Sequence, residues 1–291
     1  MESQNSKIGL YPGCSLEGTE VSFAGSLDLV LEDLGLKCEE MQDWNCCGAT
    51  SAHALDHGLY LALNMRNLAL AEQQGYDEII APCAACYHRL ASTAFELEKD
   101  EPLKQRLNTE AELNYQGKVK VRNVLDFFAN VVGIEKITER VKKPLSGLKV
   151  ACYYGCLNTR VPRMESFDVV EYPMSMDNIV KALGAEALDW SCKTECCGAS
   201  LFISSEDTSA KLVSKILKNA VACKADVIAV CCPLCHSNLD TKQESFRARF
   251  DISRPLPVVF ISQLMGLAFG RDEAEMKFTH NYVPFSLTAP G

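Results

Sequence analysis

Several features are missing from this 291-residue sequence, and each absence removes a class of explanation. The first residues, Met1-Glu2-Ser3-Gln4-Asn5-Ser6-Lys7, contain no charged start followed by an apolar stretch, so no secretory signal is expected. The longest apolar stretch, Val258 to Gly270, is too short to cross a membrane and is interrupted by Ser262 and Gln263. There is no basic stripe. Acidic residues (38) outnumber basic ones (29), giving a net charge of −9, which argues against a phosphate-neutralising nucleic-acid surface. No Gly-x-Gly-x-x-Gly fingerprint for a flavin or nicotinamide is present. The compact cysteine runs of ferredoxins are missing too. Composition is that of an ordinary globular protein, with 23% charged and 8% aromatic residues, which excludes disorder, collagen and coiled coil for the whole. At about 150 residues per domain the length suggests roughly two domains. The expectation is a soluble, cytoplasmic protein with reduced thiols.

What the sequence has in excess is cysteine, 15 residues, an odd number that favours metal or redox chemistry over a disulfide framework. Five fall in the first half as Cys14, the pair Cys46-Cys47 followed by Gly48, and Cys83-Ala84-Ala85-Cys86. Five more repeat this order as Cys156, Cys196-Cys197 followed by Gly198, and Cys232-Pro233-Leu234-Cys235. Cys47 to Cys83 is 36 positions and Cys197 to Cys232 is 35, so the spacing repeats as well as the order. The flanks agree: Tyr11-Pro12-Gly13-Cys14 matches Tyr153-Tyr154-Gly155-Cys156, and both pairs continue as Gly-Ala. The chain is an internal duplication, with halves at 1–143 and 144–291 and a repeat of about 145 residues, too long for a solenoid.

Hydrophobic periodicity predicts alternating strands and helices in both halves. Strands are expected at 8–11, 36–44, 78–81 and 119–121, with helices at 21–34, 55–73, 87–97 and 124–132. The second half repeats this with strands at 149–153, 188–191, 227–230 and 258–260, and helices at 177–183, 208–223, 236–246 and 261–269. The charged stretch 98–118 reads as an exposed helix and loop, and Lys142-Lys143-Pro144 with Gly147 as the linker. Such alternation implies right-handed crossovers and parallel sheets, an α/β fold of two Rossmann-like halves. The cysteines fall just past strand ends, where open parallel sheets bind ligands and where helix N-termini favour thiolates.

Five thiols per half exceed the four ligands of a closed zinc site, and only one hook per half is Cys-x-x-Cys. The set points to an iron–sulfur cluster larger or more open than a plain cubane, with zinc as the competing reading. Here the pattern resembles the cysteine-rich CCG domain, and its duplication over nearly the whole chain resembles the B-type subunit of heterodisulfide reductase. That resemblance implies a noncubane [4Fe–4S] cluster on Cys14, Cys46, Cys47, Cys83 and Cys86. It implies a second on Cys156, Cys196, Cys197, Cys232 and Cys235. It also implies a pseudo-twofold arrangement with both clusters facing one cavity. The chemistry implied is reduction of a disulfide, such as that of coenzyme M and coenzyme B, with one electron from each cluster and two protons. Electrons would arrive from two partners of the heterodisulfide reductase complex, one ferredoxin-like and the other flavin-containing. CCG domains also occur in electron-transfer subunits of dehydrogenases and in sulfur-oxidation relatives, which remain alternatives.

Cys38, Cys152, Cys192, Cys223 and Cys231 fall outside the repeat and are expected to be small buried apolar residues, although Cys231 adjoins Cys232. His88 and His236 follow the two hooks and are candidate proton donors, or else surface or ligand-orienting histidines. Lys193 and Arg160 could hold an anionic group, but a solvated surface role is the plainer expectation. Trp44 and Trp190 precede the cysteine pairs and are expected to pack over the site.

Overall fold

The first half builds its sheet from β1 (Ile8–Leu10), β2 (Glu39–Glu40), β3 (Glu78–Ala81) and β4 (Lys120–Asn123). The second uses β5 (Lys149–Tyr153), β6 (Glu186–Ala187), β7 (Val227–Val230) and β8 (Val258–Phe260). Described in this computed structural model are residues 7–49, 52–160 and 166–287. Every strand pair is parallel, and the orders β2-β1-β3-β4 and β6-β5-β7-β8 are the same. Register repeats as well: Leu10 pairs with Ile80 as Cys152 pairs with Ala229. Central strands covered on both faces must be apolar throughout, and all four residues of β7 are buried.

The helices of the first half are α1 (Gly13–Glu17), α2 (Val21–Asp33), α3 (Ala52–Leu55), α4 (His57–Gln73), α5 (Ala84–Lys99), α6 (Glu101–Glu110), α7 (Val124–Asp126) and α8 (Ile134–Arg140). Those of the second are α9 (Ser175–Ala182), α10 (Glu206–Ala222), α11 (Pro233–Asp240), α12 (Gln243–Phe250) and α13 (Ile261–Phe269).

Several expected elements differ. The helix expected from residue 55 is broken at Asp56, whose extended backbone and carboxylate, accepting from the Leu59 amide, restart it as α4. The strand expected over 36–44 shrinks to Glu39–Glu40, and that over 188–191 sits earlier, at Glu186–Ala187. The helix expected over 236–246 is two, α11 and α12. The stretch 124–132 is α7 followed by a π-helical turn, Phe127–Gly133, and the chain continues as α8. The charged 98–118 stretch does hold a helix, α6, but Leu107 and Tyr115 are buried, so it is not wholly exposed.

The halves are joined by exchanged helices. Helix α2 of the first half packs on α13 of the second, while α9 of the second packs on α7, the π-helical turn and α8 of the first. Phe23 stacks on Phe260 with ring centroids 4.2 Å apart, and Ser26 Oγ meets Ser262 Oγ at 2.7 Å. Strand order 2-1-3-4 places a topological switch point between the first and third strands of each sheet. The crevice at the carboxyl ends of those strands is where such sheets bind ligands.

Candidate metal centre

Each switch point is lined with thiols. Cys14 follows β1, Cys83 and Cys86 follow β3, and the Cys46-Cys47 pair lies on the loop after β2. Cys156, Cys232, Cys235 and Cys196-Cys197 repeat this after β5, β7 and β6. All ten sequence-chosen cysteines therefore lie at the carboxyl ends of the sheets. Cys47 Sγ and Cys86 Sγ are 3.4 Å apart, and Cys197 Sγ and Cys235 Sγ are 3.7 Å apart. Cys46 and Cys47, Cys83 and Cys86, Cys232 and Cys235, and Cys156 and Cys196 are near enough to shift one another's ionisation. Across the halves, Cys83 and Cys232 lie close enough for each to shift the other's ionisation, pushing Cys83 well above the usual thiol range and helping to hold Cys232 well below it. A series of mutually interacting thiols thus leads from Cys46 through Cys47, Cys86, Cys83, Cys232 and Cys235 to Cys197. Cys14 and Cys46 are exposed at one rim, whereas Cys83, Cys86, Cys232 and Cys235 are buried at the junction.

The surrounding backbone is shaped for sulfur. Cys83 and Cys232 stand at the N-cap positions of α5 and α11; the neighbouring Cys235 and Cys83 hold Cys232 well below the usual thiol range, whereas Cys83 is pushed well above it. The amides of Gly48 and Gly198 donate to Cys46 Sγ at 3.4 Å and to Cys196 Sγ at 3.3 Å. Gly13, at φ +64°, allows the loop to pass so close that an added Cβ would sit 3.0 Å from Cys86 Sγ; at Gly155 the equivalent distance to Cys235 Sγ is 3.1 Å. Neighbouring thiols split their protons unevenly. The neighbouring thiols of Cys46 and then Cys86 bring Cys47 down to about 3, and that of Cys156 brings Cys196 down to about 6. Among the described residues, no three His, Cys, Asp or Glu side chains converge on the point that a single metal ion would occupy.

Supporting side chains repeat too, and sequence reasoning missed them. Tyr11 donates its hydroxyl to the Asn45 carbonyl at 2.8 Å, and Tyr153 to the Glu195 carbonyl at 2.6 Å, each tying a cysteine-pair loop to a strand end. The repeated Tyr-x-Gly-Cys flank was the available signal. Burial, then the adjacent thiols, holds both phenols far above their usual range. Asn64 and Asn238 donate to the Cys47 and Cys197 carbonyls at 3.1 and 2.8 Å. They come from non-equivalent helices, α4 and α11, so no repeat revealed them.

Comparison with known proteins matches the family model of the CCG cysteine-rich domain twice, at residues 8–91 and 150–240, spans that contain all ten thiols. The chain belongs to the CCG cysteine-rich family. Over 280 residues it is 34% identical to the 8-methylmenaquinol:fumarate reductase membrane anchor subunit of Wolinella succinogenes, covering 95% of this chain and 97% of that protein. Over 285 residues it is 30% identical to the B-type subunit of the ferredoxin/F420H2-dependent CoB–CoM heterodisulfide reductase of Methanosarcina acetivorans, covering 95% and 94%. A solved structure of a hypothetical protein from Helicobacter pylori superposes with a TM-score of 0.75 at 14% identity. It covers 98% of this chain but 53% of that one, a likeness of fold alone. No helix among the described residues is long and apolar enough to cross a membrane.

The other residues singled out from the sequence of this CCG protein take varied places. Cys231 is buried behind Cys232 and accepts from Asn158 Nδ2 at 3.1 Å, so Cys232 is the one that joins the thiol run. Cys152 and Cys192 are buried, whereas Cys38 and Cys223 are only half-buried. His236 sits at the junction: within its own half Nε2 donates to the Val258 carbonyl at 3.1 Å and the ring stacks on Phe260, while Nδ1 lies 3.1 Å from Glu20 of the first half. His88 is buried with Nδ1 unpartnered, and burial pushes its pKa down to about 4. Lys193 corrects the solvated expectation: it is buried and paired with Asp177 at 2.6 Å. Arg160 is exposed, its guanidinium reaching Thr194 Oγ1 at 3.3 Å. Trp44 lies edge-on to Tyr11, and Trp190 donates Nε1 to the Cys152 carbonyl beside Tyr153, so both pack one layer behind the thiols.

Proposed function

We propose that this chain is the iron–sulfur subunit that performs disulfide reduction in a heterodisulfide reductase-type complex. One noncubane [4Fe–4S] cluster is assigned to Cys14, Cys46, Cys47, Cys83 and Cys86, and a second to Cys156, Cys196, Cys197, Cys232 and Cys235. The observation that carries this reading is the placement of five thiols at the carboxyl-end switch point of each of two identically ordered sheets, with Cys47–Cys86 and Cys197–Cys235 in equivalent sulfur contacts. The donor set fits the group. Five thiols per half exceed the four ligands of one closed zinc site and suit a group of several irons. The glycines at 13 and 155 give the sulfurs room, and amides aimed at Cys46 and Cys196 offset negative charge.

When bound, two such clusters supply one electron each to the sulfurs of a disulfide. The chain holds the two donor sets in contact, so a two-electron cleavage can draw on both without releasing a thiyl radical. The buried tyrosines and Trp190 keep water from the back of the sites, while the exposed rim at Cys14 and Cys46 admits substrate and the two protons. His88, held neutral by burial, carries no charge at neutral pH. A disulfide of the coenzyme M–coenzyme B kind is the proposed substrate class. The chain has no flavin fingerprint or ferredoxin motif of its own. It therefore receives electrons, in the cytoplasm, from partners of the ferredoxin-like and flavin-containing kinds found in heterodisulfide reductase complexes.

The likeness to a fumarate reductase subunit favours a second reading, electron transfer without disulfide chemistry. EPR of the anaerobically purified, oxidised protein separates them. A paramagnetic signal that appears or shifts on adding a substrate thiol supports disulfide chemistry. Clusters that titrate but ignore every thiol support electron transfer alone.

A further inference from the structure

The duplication is broken at one position beside the thiols. Three residues past the last cysteine of each hook stands Arg89 in the first half and Asn238 in the second. That spacing puts each on its cysteine's face of α5 or α11. Asn238 is neutral and spends its amide on the Cys197 carbonyl. In the first half Asn64 makes that bond from another helix, so Arg89 is free of the task. Among the described residues Arg89 has no carboxylate partner, and its buried Nε makes no hydrogen bond. Its guanidinium lies 5.7 Å from the centroid of the Tyr60 ring. The positive charge still reaches Cys47 and His88. Around the second site the buried cation is matched, and the unpaired one, Arg160 at Thr194, is exposed and screened by water. Lys193 is neutralised by Asp177, and Glu195, beside Cys196, pairs with Lys215 at 2.8 Å.

We propose that Arg89 makes the two centres electrochemically unequal and holds the first as the easier to reduce. This inference rests on the iron–sulfur reading above. A thiolate-bound cluster becomes more negative on reduction, and an unmatched cation nearby stabilises that state. Exposure acts in the same direction, since Cys14 and Cys46 are exposed whereas Cys156 and Cys196 are half-buried. One feature opposes it: the Ala84 amide helps lower Cys232, and its counterpart Pro233 has no N–H to offer Cys83. A single amide dipole carries a fraction of the charge of a guanidinium, so Arg89 prevails. The first electron to arrive then settles in the first half.

The test is an anaerobic redox titration followed by EPR on wild type, Arg89→Gln and Arg89→Lys, after iron and sulfide have been counted in each. Two midpoints are expected in wild type. Arg89→Gln should lower the higher one and leave the other unmoved, and Arg89→Lys should keep both close to wild type. Arg89→Met, another neutral variant, replaces Arg89→Gln if the latter fails to load. Unchanged midpoints in the neutral variant, equal shifts of both centres, or a Lys variant as low as the neutral one would overturn the assignment to charge. A wild-type protein without iron and sulfide overturns the iron–sulfur reading and this inference together, an outcome the counts identify before any titration.

Discussion

At the scale of single residues, the two sites depend on small side chains and on protons. Gly13→Ala must place a methyl 3.0 Å from Cys86 Sγ at a φ of +64°. It should cost about 1–3 kcal/mol of stability and lower iron in the first half while the second half keeps its own, measured by melting temperature and metal analysis. Lys193→Met should be more damaging, about 3–5 kcal/mol in anaerobic urea unfolding, because Asp177 is left charged and buried. Lys193→Met combined with Asp177→Leu should recover part of that loss. Cys38 offers a pH test away from both sites. Burial, and then Asp28, pushes its thiol up to about 11. It therefore contributes stability that is fully present below the unfolded thiol's pKa, about 8.5, and is lost as pH rises toward 11. Alkylation of Cys38 in the native protein should keep accelerating past pH 9, and Cys38→Ala should flatten the alkaline limb of stability. The ten repeated cysteines were legible in the sequence because thiols are rare and their spacing repeats. The burial of Lys193 was not, because its partner Asp177 lies 16 positions away with no pattern to join them.

At the scale of elements, strands and helices with a complete apolar pattern were readable: β3, β7, β8, α2, α10 and α13 fall within a few residues of expectation. What escaped were elements decided by a single polar group or by contacts distant in sequence. Asp56 breaks a periodic helix because its carboxylate satisfies an amide of α4. Two-residue strands such as Glu39–Glu40 exist only through pairing with a neighbour, here β1. The exchange of α2 and α9 between halves was invisible, since apolar faces show that a helix packs but not on which partner. That exchange makes a prediction. Phe23→Ala, removing a fully buried ring stacked on Phe260, should cost about 3–5 kcal/mol. Because the contact joins the halves beside His236, the loss should disturb iron retention in both halves, unlike Gly13→Ala, as metal analysis of the two variants would show.

At the scale of the whole molecule, the proposed function would draw on the duplication, one α/β unit per cluster. Each half presents five thiols at the switch point of its sheet. The exchanged helices press those switch points together, so that Cys83 meets Cys232. Neither half alone brings two such sites into contact. The most direct measurement is the iron and acid-labile sulfide bound per chain in anaerobic wild type, Cys86→Ser and Cys235→Ser. Two clusters require about eight irons with sulfide in wild type and about half as many in each variant. Zinc without sulfide, or a single variant that empties neither or both sites, would contradict two independent five-cysteine clusters.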